Sequence, residues 1–479
     1  MKGTSDTKKN RLPNETLKGL QAPEAEEFEI ELVEDEEGKS VPRIVPVIKD
    51  QEQEVESYRD ETRFIPLPPR SIEATGLTVS YLEDLTLKHL RQSGSIQGNA
   101  LFRRIRLPAA ITEQILERLR QNKLVEITGS LGAGLGRTQA IFKLTEAGGR
   151  AAERAADRDG YVGAAPVPYK HYAQAVAAQS VRGNAFRKGD IRRHFEDLVL
   201  PDSIFDSLGP ALNSGRSLFL YGPPGNGKTA ICQRLTNCLG GAVFVPHAIL
   251  VDDFAIRVFD DSIHREVEFS GDRPVLDDRW ACCRRPMVMV GGELSLENLD
   301  LIYWSELRFY EAPFQLKANC GLLLIDDFGR QKVSVEALLN RWIVPLESDY
   351  DLLTLHTGKK IRVPFDVFVV FSTNLDPGDL VDAAFLRRVR YKLEVKRSTP
   401  QSFKTIFKDE CRKHGIPFDE ALFQHLIKEH YTKAKREFNA CEPRDLLGQI
   451  EDLCAYHGIN PALTKDAIHH VVNNYFVEL

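Results

Sequence analysis

Sustained hydrophobic periodicity begins at about Thr78; before that point apolar residues are scattered among charges and prolines. Leu82, Leu85, Leu87 and Leu90 recur at helical spacing and predict an amphipathic helix over Tyr81 to Gln92, stopped by Gly94. A short helix over Ala100 to Ile105 follows. Pro108 opens a third, with Ile111, Ile115, Leu116 and Leu119 along one face. Leu124 to Thr128 and Ala140 to Leu144 read as strands on either side of the glycine-rich turn Gly129 to Gly136. Gly163 to Pro168 has the small, Pro-containing composition of a linker. Beyond it the pattern changes. Short apolar runs at Ser217 to Tyr221, Ala242 to Val245, Leu322 to Ile325, Val367 to Phe371 and Tyr391 to Val395 alternate with helical segments. Such alternation predicts a parallel sheet with helices on both faces. After about Thr399 only helical patterns remain, over Gln401 to His414, Phe418 to His430, Pro443 to Tyr456 and Thr464 to Phe476.

Composition changes this picture little. The 479 residues are 42% hydrophobic and 28% charged, ordinary for a globular chain of several domains. The formal net charge of -6 argues against the whole chain being a nucleic-acid binder. No window approaches the ~18 consecutive apolar residues of a membrane span. Met1 to Leu20 is polar and basic, without the apolar core of a signal peptide. A cytoplasmic protein with no membrane partner is expected. The eight cysteines are scattered and form no CxxC pair, so reduced structural thiols are expected, the adjacent Cys282 and Cys283 included. Glu24 to Glu37 holds nine acids and no base, which places residues 1–75 as a disordered acidic tail. Within it Phe28, Ile30 and Leu32 alternate with glutamates, a pattern that could add a strand to a partner's sheet edge.

The chemistry concentrates at Gly222-Pro223-Pro224-Gly225-Asn226-Gly227-Lys228-Thr229, with Ala230 next in line. An apolar strand leads in and a helical pattern leads out, the context that the G-x-x-x-x-G-K-[ST] phosphate loop requires. Glycines let the backbone wrap closely and aim its N–H groups at phosphate oxygens, and the helix N-terminus adds partial positive charge. Lys228 should reach the β- and γ-phosphates and the Thr229 hydroxyl should ligate Mg²⁺. A second acidic motif ends the run Leu322-Leu323-Leu324-Ile325-Asp326-Asp327. Carboxylates at the C-terminal end of a buried parallel strand are placed to meet a ligand. Asp326 is the expected metal-shell acid, and Asp327 the group that orients or deprotonates water.

These motifs together resemble those of the AAA+ ATPases. Val367 to Phe371 followed by Ser372-Thr373-Asn374 resembles the sensor-1 strand. Asp382-Ala383-Ala384-Phe385-Leu386-Arg387-Arg388 resembles the arginine-finger segment, and Glu442-Pro443-Arg444-Asp445-Leu446-Leu447 resembles sensor 2. The resemblance covers about residues 186 to 479. It implies an α/β nucleotide-binding domain over 186–397 and a helical lid over 398–479, with ATP and Mg²⁺ as cofactors. Asn374 would then help position water, Arg387 or Arg388 would complete a neighbouring subunit's site, and Arg444 would sense nucleotide. A homo-oligomeric ring, a hexamer by preference, follows from the shared arginine. The chain departs from the family in having Asp at 327 where Glu is usual, so slow hydrolysis is an expectation as well. The stretch between Lys228 and Asp326 is longer than two βα units need, and the excess at about 252–318 is similar to the β-hairpin insertions of MoxR-like relatives. Tyr303, Trp304, Phe309 and Tyr310 there are expected mostly to pack inward, although they could grip a substrate.

Residues 76–155 resemble a winged-helix domain, joined to the rest by 156–185. That fold implies duplex DNA as one partner. Yet the third helix sets only Arg118, Arg120 and Lys123 against Glu113 and Glu117, and Arg103, Arg104 and Arg106 precede it. Without a strong basic stripe, a protein client is the expected partner and DNA the alternative.

Overall fold

The computed structural model describes residues 27–34, 40–47, 64–130, 140–183, 185–267, 275–380 and 383–476. Among the described residues no helix is long and apolar enough to cross a membrane.

The front module follows the predicted order. Helix Val79–Ser93 starts where the Thr78 hydroxyl accepts the Tyr81 N–H at 3.1 Å. Helices Gly98–Ile105 and Ala109–Gln121 follow, and their apolar faces meet it. Leu82, Leu85, Leu101, Ile111, Ile115 and Leu119 are all nearly solvent-free. Strands Val125–Ser130 and Ala140–Leu144 pair antiparallel, and Ser95–Gln97 adds a third strand on the far side of Ala140–Leu144. Three residues are too few for a period to show, which is why the sequence pattern misses this strand. Most of the glycine-rich turn lies outside the described residues. Helix Glu146–Arg158 closes the module, capped by Thr145 through the Gly148 N–H at 3.0 Å.

The nucleotide-type core is a five-stranded parallel sheet. Its strands in spatial order are Met287–Val290, Gly321–Ile325, Val367–Thr373, Ser217–Tyr221 and Tyr391–Glu394. The two central runs 321–325 and 367–373 are buried at every position, as expected for strands covered on both faces. Helix Lys228–Leu239 and helix Asp202–Ser214 pack with one face, while helix Val335–Glu347 packs with the other. The sheet corrects one expectation. Ala242–Pro246 does not join it but pairs antiparallel with Trp280–Arg284 in a separate ladder. The parallel position belongs instead to Met287–Val290, whose residues had read as part of the insertion. An apolar run reports burial and not which strand lies beside it, so periodicity could not separate the two.

Helices Pro400–Lys413, Glu420–Leu426, Glu442–Tyr456 and Lys465–Tyr475 form the C-terminal bundle around Phe403, Phe407, Phe423, Tyr431 and Leu447. The chain is thus α/β, with a phosphate-loop parallel-sheet core and a helical C-terminal unit.

The insertion is more than a hairpin. Strands Ile302–Trp304, Phe309–Glu311, Phe254–Arg257, Ala248–Val251 and Val167–Pro168 make a mixed five-stranded sheet. Val167–Pro168 comes from the expected linker, and the helix Tyr169–Ala178 after it buries Tyr172, Ala175 and Val176. The linker is therefore packed structure. The front module rests on the same sheet: Ala248 and Ala255 share its core, and Tyr161 meets Phe309 edge-on at 5.9 Å. Arg308 pairs with Asp157, and Ile105 O accepts the Ala165 N–H at 2.7 Å. Phe64 lies 5.2 Å from the Trp280 ring, so the chain joins this unit before residue 75, ahead of the boundary expected for the tail. Residues 27–34 and 40–47 pair as an antiparallel hairpin within that segment, and the rest of residues 1–63 lies outside the described residues.

Most of the insertion's aromatics pack inward. Tyr310 is fully buried, Phe254 meets it edge-on at 5.7 Å, and Tyr303 stacks on His356 at 4.3 Å. Phe259 stacks on His264 at 5.5 Å. Trp304 differs, with about half of its surface exposed (48%).

Candidate active site

Strand Ser217–Tyr221 delivers the chain into the loop at its C-terminal end, and helix Lys228–Leu239 leaves from it. The loop bends tightly. Gly222 and Gly225 have φ of 137° and 73°, in the region that L side chains rarely adopt. Space reinforces this, since a Cβ on Gly225 would lie 2.6 Å from Cys441 Sγ and one on Gly222 would run into the Val395 carbonyl. Lys228 is 8% exposed; its Nζ donates to Gly222 O at 2.8 Å, to Pro223 O at 2.9 Å and to Asn374 Oδ1 at 2.5 Å. Burial lowers the Lys228 pKa, and the facing Asp326 and Asp327 carboxylates oppose the shift.

The acids sit on the strand two places away in the sheet, with the Asn374 strand between them and the loop strand. Thr229 Oγ1 donates to Asp326 Oδ2 at 2.9 Å. Asn374 Nδ2 donates to Asp327 Oδ1 at 3.1 Å. Asn374 therefore spans Lys228 and Asp327, and two sets of side-chain contacts, one through Asn374 and one through Thr229, join the loop to the two carboxylates. Asp327 holds a left-handed backbone, φ 47°, which Asp tolerates better than most residues. The turn is pinned where Phe328 N donates to Ser372 O at 2.8 Å. Gln331 staples it further: Nε2 donates to Asp326 O at 3.0 Å and to Asp327 O at 3.2 Å, while Oε1 accepts the Gly329 N–H at 2.8 Å.

This arrangement fits a magnesium-bound nucleoside triphosphate. The glycine bends leave a cradle, the buried ammonium stands at its mouth, and a hydroxyl hydrogen-bonded to a carboxylate supplies hard oxygen ligands for a divalent cation.

Comparisons with known proteins add the following. A family model described as a domain of unknown function (DUF8689) matches residues 399–474, which is the C-terminal helical unit. No curated protein matches the chain. Among solved structures, a mutant of RuvB from Thermogota maritima aligns with a TM-score of 0.34 at 13% identity, covering 59% of this chain and 72% of that one. NtrX from Brucella abortus in complex with ADP aligns with a TM-score of 0.36 at 12% identity, covering 69% of this chain and 60% of that one. These are loose likenesses, and nothing about the site is carried over from them.

The remaining candidate residues lie apart from the loop–acid cluster. Arg388 Nε lies 2.6 Å from Glu347 Oε1. Its neighbour Arg387 is exposed and has no ion-pair partner among the described residues. Both end the short helix Ala383–Arg388, and Asp382 before it lies outside the described residues. Arg444 lies in the first turn of helix Glu442–Tyr456 and binds Asp445, with Nε and Nη2 at 3.0 and 2.8 Å from Oδ1. Tyr475 OH donates to the other Asp445 oxygen at 3.0 Å.

Sequence reasoning missed Gln331 and Asn439. Gln331 lies five residues after Asp326 and belongs to no motif. Asn439 Oδ1 accepts from Asn226 Nδ2 at 3.2 Å, joining the loop to the helical unit across 213 residues of chain. Neither left a local signal, because each acts through a backbone or side chain that folding brings near.

Proposed function

We propose that the chain is an ATPase of the AAA+ type that binds Mg-ATP between the parallel-sheet core and the helical unit and hydrolyses it at a subunit interface. The observation that carries this reading is the continuous contact from Lys228 through Asn374 to Asp327, beside Thr229 on Asp326. Loop N–H groups and Lys228 hold the β- and γ-phosphates. Thr229 Oγ1 and Asp326 would hold Mg²⁺, which would supply neutralisation of the phosphate charge. Asp327, oriented by Asn374, accepts a hydrogen bond from the attacking water and draws its proton. Its short side chain and left-handed backbone favour modest turnover. Arg387 supports the ring arrangement: exposed and without an ion-pair partner among the described residues, its guanidinium can reach a neighbour's γ-phosphate, in a hexamer by preference. Arg388, already held by Glu347, is the weaker candidate. Arg444 lies one turn after Cys441, whose N–H donates to the loop's Gly225 O.

The work done is remodelling of a protein client bound through the winged-helix-like front module. Its would-be reading helix favours protein over DNA, because Arg118 binds Glu83 at 2.9 Å and Arg120 binds Glu117 at 2.7 Å. Arg104 likewise donates to Ser93, and Arg106 reaches Asp278 O. Few cations stay free to meet phosphates.

The test is Lys228→Ala. Mg-ATP binding and turnover should fall at least about a hundredfold, as expected when the group that positions the phosphates is lost. Wild-type turnover in this variant would end the reading. DNA docking is checked with residues 64–183 mutated in place: charge reversal at Arg103 and Lys123 should leave the full chain's duplex affinity at low salt unchanged.

A further inference from the structure

We infer that Asn439 is a positioning residue through which the phosphate loop sets the placement of the helical unit. This rests on the nucleotide-binding reading above and deepens it. The loop meets the chain of the helical unit at two points. At its start, Gly222 packs without a side chain against the Val395 carbonyl, and Val395 N donates to Tyr221 O at 2.8 Å. Val395 opens the short connection into the helical unit. At its middle, Gly225 O accepts the Cys441 N–H at 2.9 Å, and Asn226 Oδ1 accepts the Ala440 N–H at 3.2 Å. The helical unit is thus clasped to the loop at its entry and again at the turn before helix Glu442–Tyr456.

Asn439 connects these two points. Its Oδ1 accepts from Arg397 Nη1 at 2.7 Å, on the entry side, and from Asn226 Nδ2 at 3.2 Å, on the loop side. Its own Nδ2 donates to Glu442 Oε1 at 2.8 Å, and its backbone N–H to Glu442 Oε2 at 3.1 Å. Glu442 is 3% exposed and also accepts from Tyr431 OH at 2.9 Å, deep in the bundle core. Both polar atoms of the Asn439 amide are therefore engaged, and its partners belong to three different parts of the chain: loop, connection and bundle.

The loop end of this relay is tied into the phosphate loop itself. Asn226 Nδ2 also holds Pro224 O at 3.0 Å, within the loop that the reading above places around the phosphates. Asn226 is 4% exposed, so water does not replace a lost partner at low cost. A change in loop shape is passed to Asn439, and from there to Glu442 and the helix it begins.

The test is a double-mutant cycle on the full chain, with binding of the fluorescent analogue mant-ATP and Mg²⁺ as one readout and trypsin cleavage after the exposed Lys433 and Lys435 as the other. Asn226→Ala and Asn439→Ala should each weaken binding about tenfold, and the double variant also about tenfold and not a hundredfold, because each breaks the Asn226–Asn439 bond on which the relay depends. Mg-ATP should slow the cleavage in the wild type but not in Asn439→Ala. Additive losses, or protection that survives Asn439→Ala, would overturn the inference. If Asn439→Ala does not fold by circular dichroism, Arg397→Ala, on a partly exposed residue, takes its place in the same cycle, and additivity with Asn226→Ala again overturns it. A wild-type chain that fails to bind mant-ATP would defeat the nucleotide reading itself, whereas binding with additive losses defeats only the relay.

Discussion

The parallel-sheet core and the unit formed by the front module and insertion both bury apolar cores, but they differ in where their key residues stand along the chain. In the core each functional residue ends its own strand or opens the helix after it: Lys228 after Ser217–Tyr221, Asp326 after Gly321–Ile325, Asn374 after Val367–Thr373. In the other unit, Phe64 meets Trp280, Tyr161 meets Phe309, and Val167 pairs beside Ile249. Local contacts leave short motifs that survive in isolation, and distant ones do not. The comparison also bears on the mechanism. A loose hairpin would be free to move alone, but here the insertion sheet shares a core with the front module, so a client held by one would be carried with the other.

The sharpest way to break this comparison is at the end of the short helix Ala383–Arg388. Arg387→Ala should lower turnover about a thousandfold with nucleotide affinity preserved, while Arg388→Ala should change turnover less than about tenfold, in keeping with the typical worth of an arginine finger. Steady-state ATPase assays decide it, and equal effects would remove the distinction drawn from Glu347. Next come paired core truncations. Leu324→Ala and Tyr310→Ala should each cost about 3–5 kcal/mol, since both side chains are fully buried. Only Leu324→Ala should also abolish mant-ATP binding below the wild-type melting temperature. Loss of binding in both would mean that the two units are one. A smaller effect is expected at the staple: Gln331→Ala should lower turnover about tenfold with affinity unchanged, because small displacements of a reacting group are costly.

The smallest effect concerns pH. Burial first, then the Arg106 and His264 charges, push the His247 pKa down from 6.5 to about 3. The unfolded chain therefore takes up a proton below about pH 6.5 that the folded chain refuses until about pH 3. This contribution to stability is complete above pH 6.5 and is lost as pH falls toward 3. The His247 Nε2 atom has no hydrogen-bond partner among the described residues, so His247→Phe forfeits none there. Calorimetry should show a shallower fall in melting temperature between pH 7 and 4 for this variant; an unchanged slope would refute the assignment.

Legibility followed the same division. Lys228, Thr229, Asp326 and Asn374 could be named from the chain because strand-loop-helix context constrains them within a few residues. The front module's three helices and two longer strands were legible from periodicity. Ser95–Gln97 was too short, Ala242–Pro246 and Met287–Val290 exchanged roles because both are simply apolar, and the linker's part in a sheet left no trace in its composition.

By itself, then, the sequence determined the phosphate loop, its acids and the succession of helices and strands, since all depend on residues near one another along the chain. The tertiary structure decided which apolar run joined the parallel sheet, that the insertion and front module form one body, and that Asn439 and Gln331 hold the site. Those outcomes depend on hydrogen bonds and packing between residues far apart in the chain, and the pattern of polar and apolar positions reports how deeply a residue is buried without naming its neighbour.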